Sequence, residues 1–319
     1  MVVPTIHTPR SALLTPIHSC ATIHIAPIPL HSVKRGGKMI YLANGMISAE
    51  ISEIGAEIKS LKKDGYEYIW SGDPRVWGST APVLFPILCI LKDGQYNLDG
   101  KTYEMTRHGF VRGKEFTVER VTETSVTMLY THNEQTLRMY PFEFEFRVIF
   151  TLIGNSVQVE YRVSNLNDRE MYFSVGAHEA YATPEGIEDY DIIFPHKENL
   201  ETHLLAGGLL QRNTMTVGKN TEYLPLYDKY FILDTLIFKH LKSKALILKN
   251  RKTERSIQVE FPHCDYLAIW HKPSAGYVCI EPWSGLPDYV DTNHDITAKE
   301  GILTLAAHKE YSNIHTITV

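Results

Sequence analysis

Three short stretches place ionisable side chains inside otherwise apolar runs. They are Arg107-His108-Gly109-Phe110-Val111-Arg112-Gly113, Phe173-Ser174-Val175-Gly176-Ala177-His178-Glu179-Ala180-Tyr181 and Tyr277-Val278-Cys279-Ile280-Glu281-Pro282-Trp283-Ser284-Gly285. A carboxylate ending a buried strand is costly unless it is hydrogen-bonded or takes part in chemistry. His108, His178 and Glu281 together make a general acid/base set, provided the fold brings them to one place. For any one segment, a His or Glu satisfied within the core at a strand end is the plain alternative. Trp70, Trp77, Trp270 and Trp283 can stack on a sugar face or fill the core.

Other chemistries lack their motifs. There is no GxxxxGKS/T, no GxGxxG between strand and helix, no GxSxG and no HExxH. His263-Cys264-Asp265 is the densest metal-ligand triplet of the body, but neighbours along a strand point to opposite faces. No metal or cofactor is expected.

The elements that must position these groups read as β-strands. Phe142, Phe144, Phe146 and Val148 alternate with Glu143, Glu145 and Arg147, and after Gly154-Asn155 the residues Val157, Val159, Tyr161 and Val163 alternate with Gln158, Glu160 and Arg162. That pattern predicts two half-buried strands joined by a tight turn. Asp64-Gly65, Asp93-Gly94 and Asp99-Gly100 are further turn signals, the last predicting a small hairpin over 95–101. Helical spacing is scarce; Asn199–Leu210 shows it in part but carries Gly207-Gly208. The expected fold class is all-β and mostly antiparallel.

The chain has 319 residues, 32 basic and 37 acidic, and a net charge of -5 without a basic stripe. Nucleic acid is therefore not an expected partner. No apolar run is long enough for a transmembrane helix, so no membrane partner is expected either. The four cysteines show no CxxC spacing; reduced thiols and a cytoplasmic location follow. Cys89 and Cys279 sit in apolar runs and are expected to be buried. Residues 1–38 hold no Asp or Glu, four His and five Pro, and read as a leader or upstream extension. Residues 39–319, beginning at Met39, form one domain with no Pro- or Ser-rich linker.

The blocks of the body resemble a known family. They are GAEIKSLKKDGYEYIWSGDPRVWGSTAPVLFPI at 55–87, HGFVR at 108–112, YPFEFEFRVIFTLIGNSVQVEYRVSN at 140–165, SVGAHEAY at 174–181, DTLIF at 234–238, YLAIWHKP at 266–273 and CIEPWSGLPD at 279–288. In order and spacing they are similar to the aldose 1-epimerase (galactose mutarotase-like) superfamily, in its shorter LacX-like branch. The resemblance implies a β-supersandwich with an open groove on its concave face. It implies Glu281 as general base, His178 as general acid and His108 as a group that binds and polarises the ring oxygen. It also implies Asp234 as a ligand of sugar hydroxyls; Arg112, Trp283 and Lys92 are further candidate substrate contacts read from the residues themselves.

Members usually carry Gly-Arg where Cys89-Ile90 stand, and that Arg contacts the sugar. Lys92, Arg107 and Arg112 are the nearby cations, and on a continuous strand Lys92 would share a face with Ile90. A Pro usually follows the catalytic His, where this chain has Glu179. The implied activity is interconversion of the α and β anomers of a hexose such as galactose or glucose, without cofactor. The partner would be a small-molecule sugar, and the protein a monomer or homodimer. The alternative is a non-catalytic carbohydrate-binding or regulatory protein on the same fold. A third reading, a phosphorylated hexose as substrate, needs a cationic cluster.

Overall fold

The structure is a computed structural model that describes residues 35–36, 38–232 and 234–319. The chain expected as a leader lies outside the described residues up to position 34. Arg35–Gly36 already pairs antiparallel with Met39–Ala43, so the sheet begins just upstream of Met39.

The expected hairpin is the centre of the molecule. Phe144–Ile153 and Ser156–Asn165 pair in unbroken register from Phe144↔Asn165 to Ile153↔Ser156. Both strands alternate buried with half-buried positions along their length. They belong to a nine-stranded antiparallel sheet that runs in spatial order Leu209–Pro225, Tyr190–Ala206, Ala245–Asn250, Ser256–Glu260, Glu310–Thr318, Ser156–Asn165, Phe144–Ile153, Ser125–Thr131 and Thr117–Val121. The inward side chains build an aromatic core in which Phe85 stacks on Phe146 with ring centroids 4.6 Å apart. On the outer face Arg147 holds Glu119 and Glu145 at 2.7 Å.

A second, four-stranded sheet carries Glu281. Its order is Glu179–Ala182, Tyr277–Trp283, Tyr266–Trp270, Leu236–Phe238. A five-stranded sheet covers residues 35–67, and the small hairpin expected over 95–101 is Gln95–Leu98 against Lys101–Glu104. The single α-helix among the described residues, Glu134–Met139, starts with a capping box in which Asn133 accepts from the Gln135 and Thr136 amides.

The partly helical spacing at 199–210 is overridden. Tyr190–Ala206 and Leu209–Pro225 form one long ribbon that turns at Gly207-Gly208, with φ of +60° and +89°. Sheet neighbours decide such a segment, because a periodicity interrupted by Gly-Gly gives a helix little intrinsic stability.

Candidate active site

His178, Glu281 and Asp234 are positioned by the four-stranded sheet. Glu179 pairs with Ile280, and Ala177 donates its amide to Pro282 O at 3.1 Å, which sets His178 across from Glu281. His178 Nε2 lies 3.5 Å from Glu281 Oε2. Asp234 precedes the strand Leu236–Phe238, which pairs with Tyr266–Trp270, itself paired with the Glu281 strand.

His108 arrives on a loop held by the backbone. The segment at Leu84–Pro86 touches both sites: Leu84 bridges to Gly176 and Phe85 to Gly109. Gly109 has φ +75°, and a Cβ there would lie 2.0 Å from Phe85 O. Only glycine permits that approach. His108 itself has φ +64°, and its ring lies edge-on to His178 with centroids 5.6 Å apart.

Polar groups at the centre are buried yet incompletely bonded. Glu281 is 1% exposed and His178 8%. Glu281 Oε2 and His178 Nδ1 have no hydrogen-bond partner. Burial drives the Glu281 carboxyl well above its ordinary range, and the neighbouring charges of Glu179 and Asp234 add to the rise. Burial, helped by the Arg112 guanidinium, drives His178 down to about 3. Both groups are thus pushed toward their neutral forms. His108 is likewise pushed well below its ordinary value, by burial first and then by His178, Arg107 and Arg112. Its Nδ1 accepts the Cys89 amide at 3.0 Å. In a neutral ring this leaves Nε2–H as a donor.

Aromatic rings surround His178. Trp77 stacks on it at 5.2 Å and Trp270 meets it edge-on at 5.9 Å, both indoles being half-buried. Arg112 is exposed, donates to Ser79 Oγ at 2.7 Å and places positive charge near both histidines. Asp234 is half-buried with φ +91° and accepts from Thr235 Oγ1.

Two expected substrate contacts are corrected. Trp283 is 1% exposed and lies against Gly176, where a Cβ would meet its Cδ1 at 2.5 Å. Its ring has no face for a sugar; its N–H donates to Ala177 O at 3.2 Å and braces the segment before His178. Trp70, Trp77 and Trp270 are half-buried, and of these Trp77 and Trp270 lie against His178. Lys92 also falls outside the cluster. The chain at 89–92 is no strand: Cys89 has φ +50° and Lys92 opens a 3₁₀ turn. Its amide donates to Asp288 Oδ2, and its charge acts on Asp291. Cys279 is buried as expected, but Cys89 is only half-buried.

Glu179, which stands where a Pro is usual, turns away from the site and receives His315 Nε2 at 2.9 Å. His178, Cys279 and Glu281 present N, S and O donors within 4.8 Å of one another. Burial raises the Cys279 thiol well above its ordinary value, so a cation would have to expel its proton to use it.

The sequence profile described as aldose 1-epimerase matches residues 38–311. The chain is 32% identical over 295 residues to the chromosomal protein LacX of Lactococcus lactis subsp. lactis, covering 88% of this chain and 99% of LacX. A galactose mutarotase related enzyme from Lactobacillus acidophilus superposes with a TM-score of 0.84 at 34% identity, over 88% of this chain and 96% of that one. A galactose mutarotase-like protein from Lactobacillus casei gives 0.82 at 30% identity, over 88% and 99%. The all-β architecture, the order of the blocks and these matches agree: the chain belongs to the aldose 1-epimerase family.

Proposed function

We propose that this protein interconverts the α and β anomers of a hexose such as galactose or glucose by acid/base ring opening. The observation that carries the reading is the buried His178–Glu281 pair, 3.5 Å apart, with unpartnered polar atoms on both side chains. The two oxygens of a cyclic aldose that must exchange protons sit on one carbon, so a neighbouring acid and base can serve both.

Glu281 takes the proton from the C1 hydroxyl, and His178 delivers one to the ring oxygen. The bond from C1 to the ring oxygen breaks, its electron pair goes to that oxygen, and C1 becomes an aldehyde carbonyl. Rotation about C1–C2 presents the other carbonyl face, and reclosure with the transfers reversed yields the other anomer. The pair needs one proton in total. Burial favours the arrangement with that proton on Glu281, and the reactive arrangement is the tautomer with it on His178. His108 Nε2–H donates to the ring oxygen region, Asp234 accepts from sugar hydroxyls, and Trp77 and Trp270 face the ring. Arg112 supplies a hydroxyl contact and holds positive potential at both histidines. Each positioned proton-transfer group contributes about 10²- to 10⁴-fold.

Polarimetry on freshly dissolved α-glucose and α-galactose tests the proposal. Acceleration over the spontaneous rate that disappears in Glu281→Gln supports it. A full panel of aldoses without acceleration, but with saturable binding, would move the protein to the non-catalytic sugar-binding reading.

A further inference from the structure

Arg107 is exposed and makes no hydrogen bond or ion pair among the described residues, although Arg112 near it is tied to Ser79. Its location is nonetheless defined. A Cβ built on Gly208, at the tip of the long ribbon, would lie 3.1 Å from Ile90 Cδ1 and 3.4 Å from Arg107 Nη2. The guanidinium and the Ile90 side chain therefore meet beneath the same ribbon tip. From there Arg107 acts electrostatically on His108 and on Cys89. Cys89 in turn senses Glu281 and Asp234. A guanidinium with uncommitted donors thus stands at the rim of the acid/base cluster, with an apolar side chain next to it that donates nothing.

We infer that Arg107 is a specificity-determining residue that hydrogen-bonds hydroxyl groups of the bound sugar on the side of the site covered by Gly207-Gly208. The inference rests on the sugar-binding reading above. A planar fork of N–H donors matches two neighbouring hydroxyls, which a lysine at the same place would match less well. Ile90 forms the apolar wall beside it. Gly208 is part of the same device, because a side chain there would occupy the space that Arg107 and Ile90 share.

The test compares the parent with Arg107→Gln and Arg107→Lys. KM for mutarotation and Kd from quenching of tryptophan emission are measured on galactose, glucose and their 2-, 3-, 4- and 6-deoxy forms. Arg107→Gln is expected to raise KM and Kd by about 10- to 100-fold with kcat changed by less than about threefold. Arg107→Lys should fall between. The deciding readout is coupling. At least one deoxy sugar should bind the parent more weakly than the full sugar but bind Arg107→Gln as well as the full sugar does. Equal deoxy penalties in parent and variant, or unchanged Kd on every sugar, overturn the inference. Glucose 6-phosphate and glucuronate are measured alongside, and a loss confined to these two also overturns it, since Arg107 would then be an anion anchor. Because Kd is read without turnover, a parent that binds sugars but does not epimerise them overturns the proposed activity and leaves the Arg107 comparison decisive.

Discussion

Glu281 illustrates how the demands of chemistry oppose those of stability at one residue. Its folded-state pKa lies well above the ordinary 4.5 because burial disfavours the charge. A carboxyl shifted upward favours folding below its unfolded pKa, and that contribution is lost as pH rises toward the folded value. Glu281→Gln, which cannot ionise, should therefore melt higher than the parent at neutral and alkaline pH, with the gap closing near pH 4. Turnover should fall at least about 10²-fold, roughly 2.7 kcal/mol of barrier. A set of melting curves across pH checks the first expectation and polarimetry the second. His178 is pushed down to about 3, so its imidazole does not titrate where a free one would. Accordingly kcat/KM should show no acid limb near pH 6.5 and should decline on the alkaline side, as the pair loses its shared proton. An acid limb centred near 6.5 would return His178 to an ordinary solvent-exposed behaviour. At position 108, Asn tolerates the positive φ and keeps an acceptor for the Cys89 amide, but loses the outward N–H. His108→Asn is expected to lower kcat/KM by about 10- to 100-fold while the melting temperature hardly moves.

At the scale of elements, the site depends on a close backbone crossing. The 84–86 segment bridges to Gly176 on one side and Gly109 on the other, so one short run fixes both histidine-bearing segments. Gly109 and Gly113 share nearly the same φ, +75° and +73°, but only Gly109 is crowded. Gly113→Ala should cost about 1 kcal/mol, the conformational penalty alone. Gly109→Ala adds a clash with Phe85 O and should cost at least about 3 kcal/mol, with loss of activity in whatever remains folded. Chemical denaturation of the two variants side by side separates the contributions, since a similar loss in both would mean that the Phe85 approach is not constraining.

Across the whole molecule, a buried polar pair ties the strand that begins at Glu179 to the large sheet. Glu179, next to His178, accepts from His315 on the strand Glu310–Thr318, and both residues are at most 3% exposed. Tyr161 of the neighbouring strand lies against His315, with ring centroids 5.5 Å apart. Removing one partner leaves the other unsatisfied, at a cost of about 1–3 kcal/mol or more if it is charged. His315→Leu should thus destabilise strongly, and His315→Leu with Glu179→Leu should recover part of the loss, read as a nonadditive double-mutant cycle. Glu179 is also the leading charged neighbour that raises Glu281. Glu179→Gln should consequently shift the alkaline limb of kcat/KM to lower pH. This couples a contact outside the cluster to its proton affinity.

The sequence by itself determined the local facts. Period-two alternation around Gly154-Asn155 fixed the central hairpin, because inward and outward side chains alternate along any strand. Asp99-Gly100 marked the turn of the small hairpin between Gln95–Leu98 and Lys101–Glu104. The three interrupted segments named His108, His178 and Glu281 as candidates. Sequence spacing does not encode burial or distance between elements, and there the tertiary structure decided. It placed His178 opposite Glu281 through strand register and packed Trp283 onto Gly176, while leaving Trp77 and Trp270 half-buried. It turned Lys92 away because a positive φ at Cys89 breaks the alternation on which the expected shared face depended. It also converted the partly helical 199–210 segment into a ribbon, since pairing with neighbouring strands outweighs a weak local preference. Arg107 owes its place at the rim to that ribbon's tip, which crosses from more than ninety residues further along the chain.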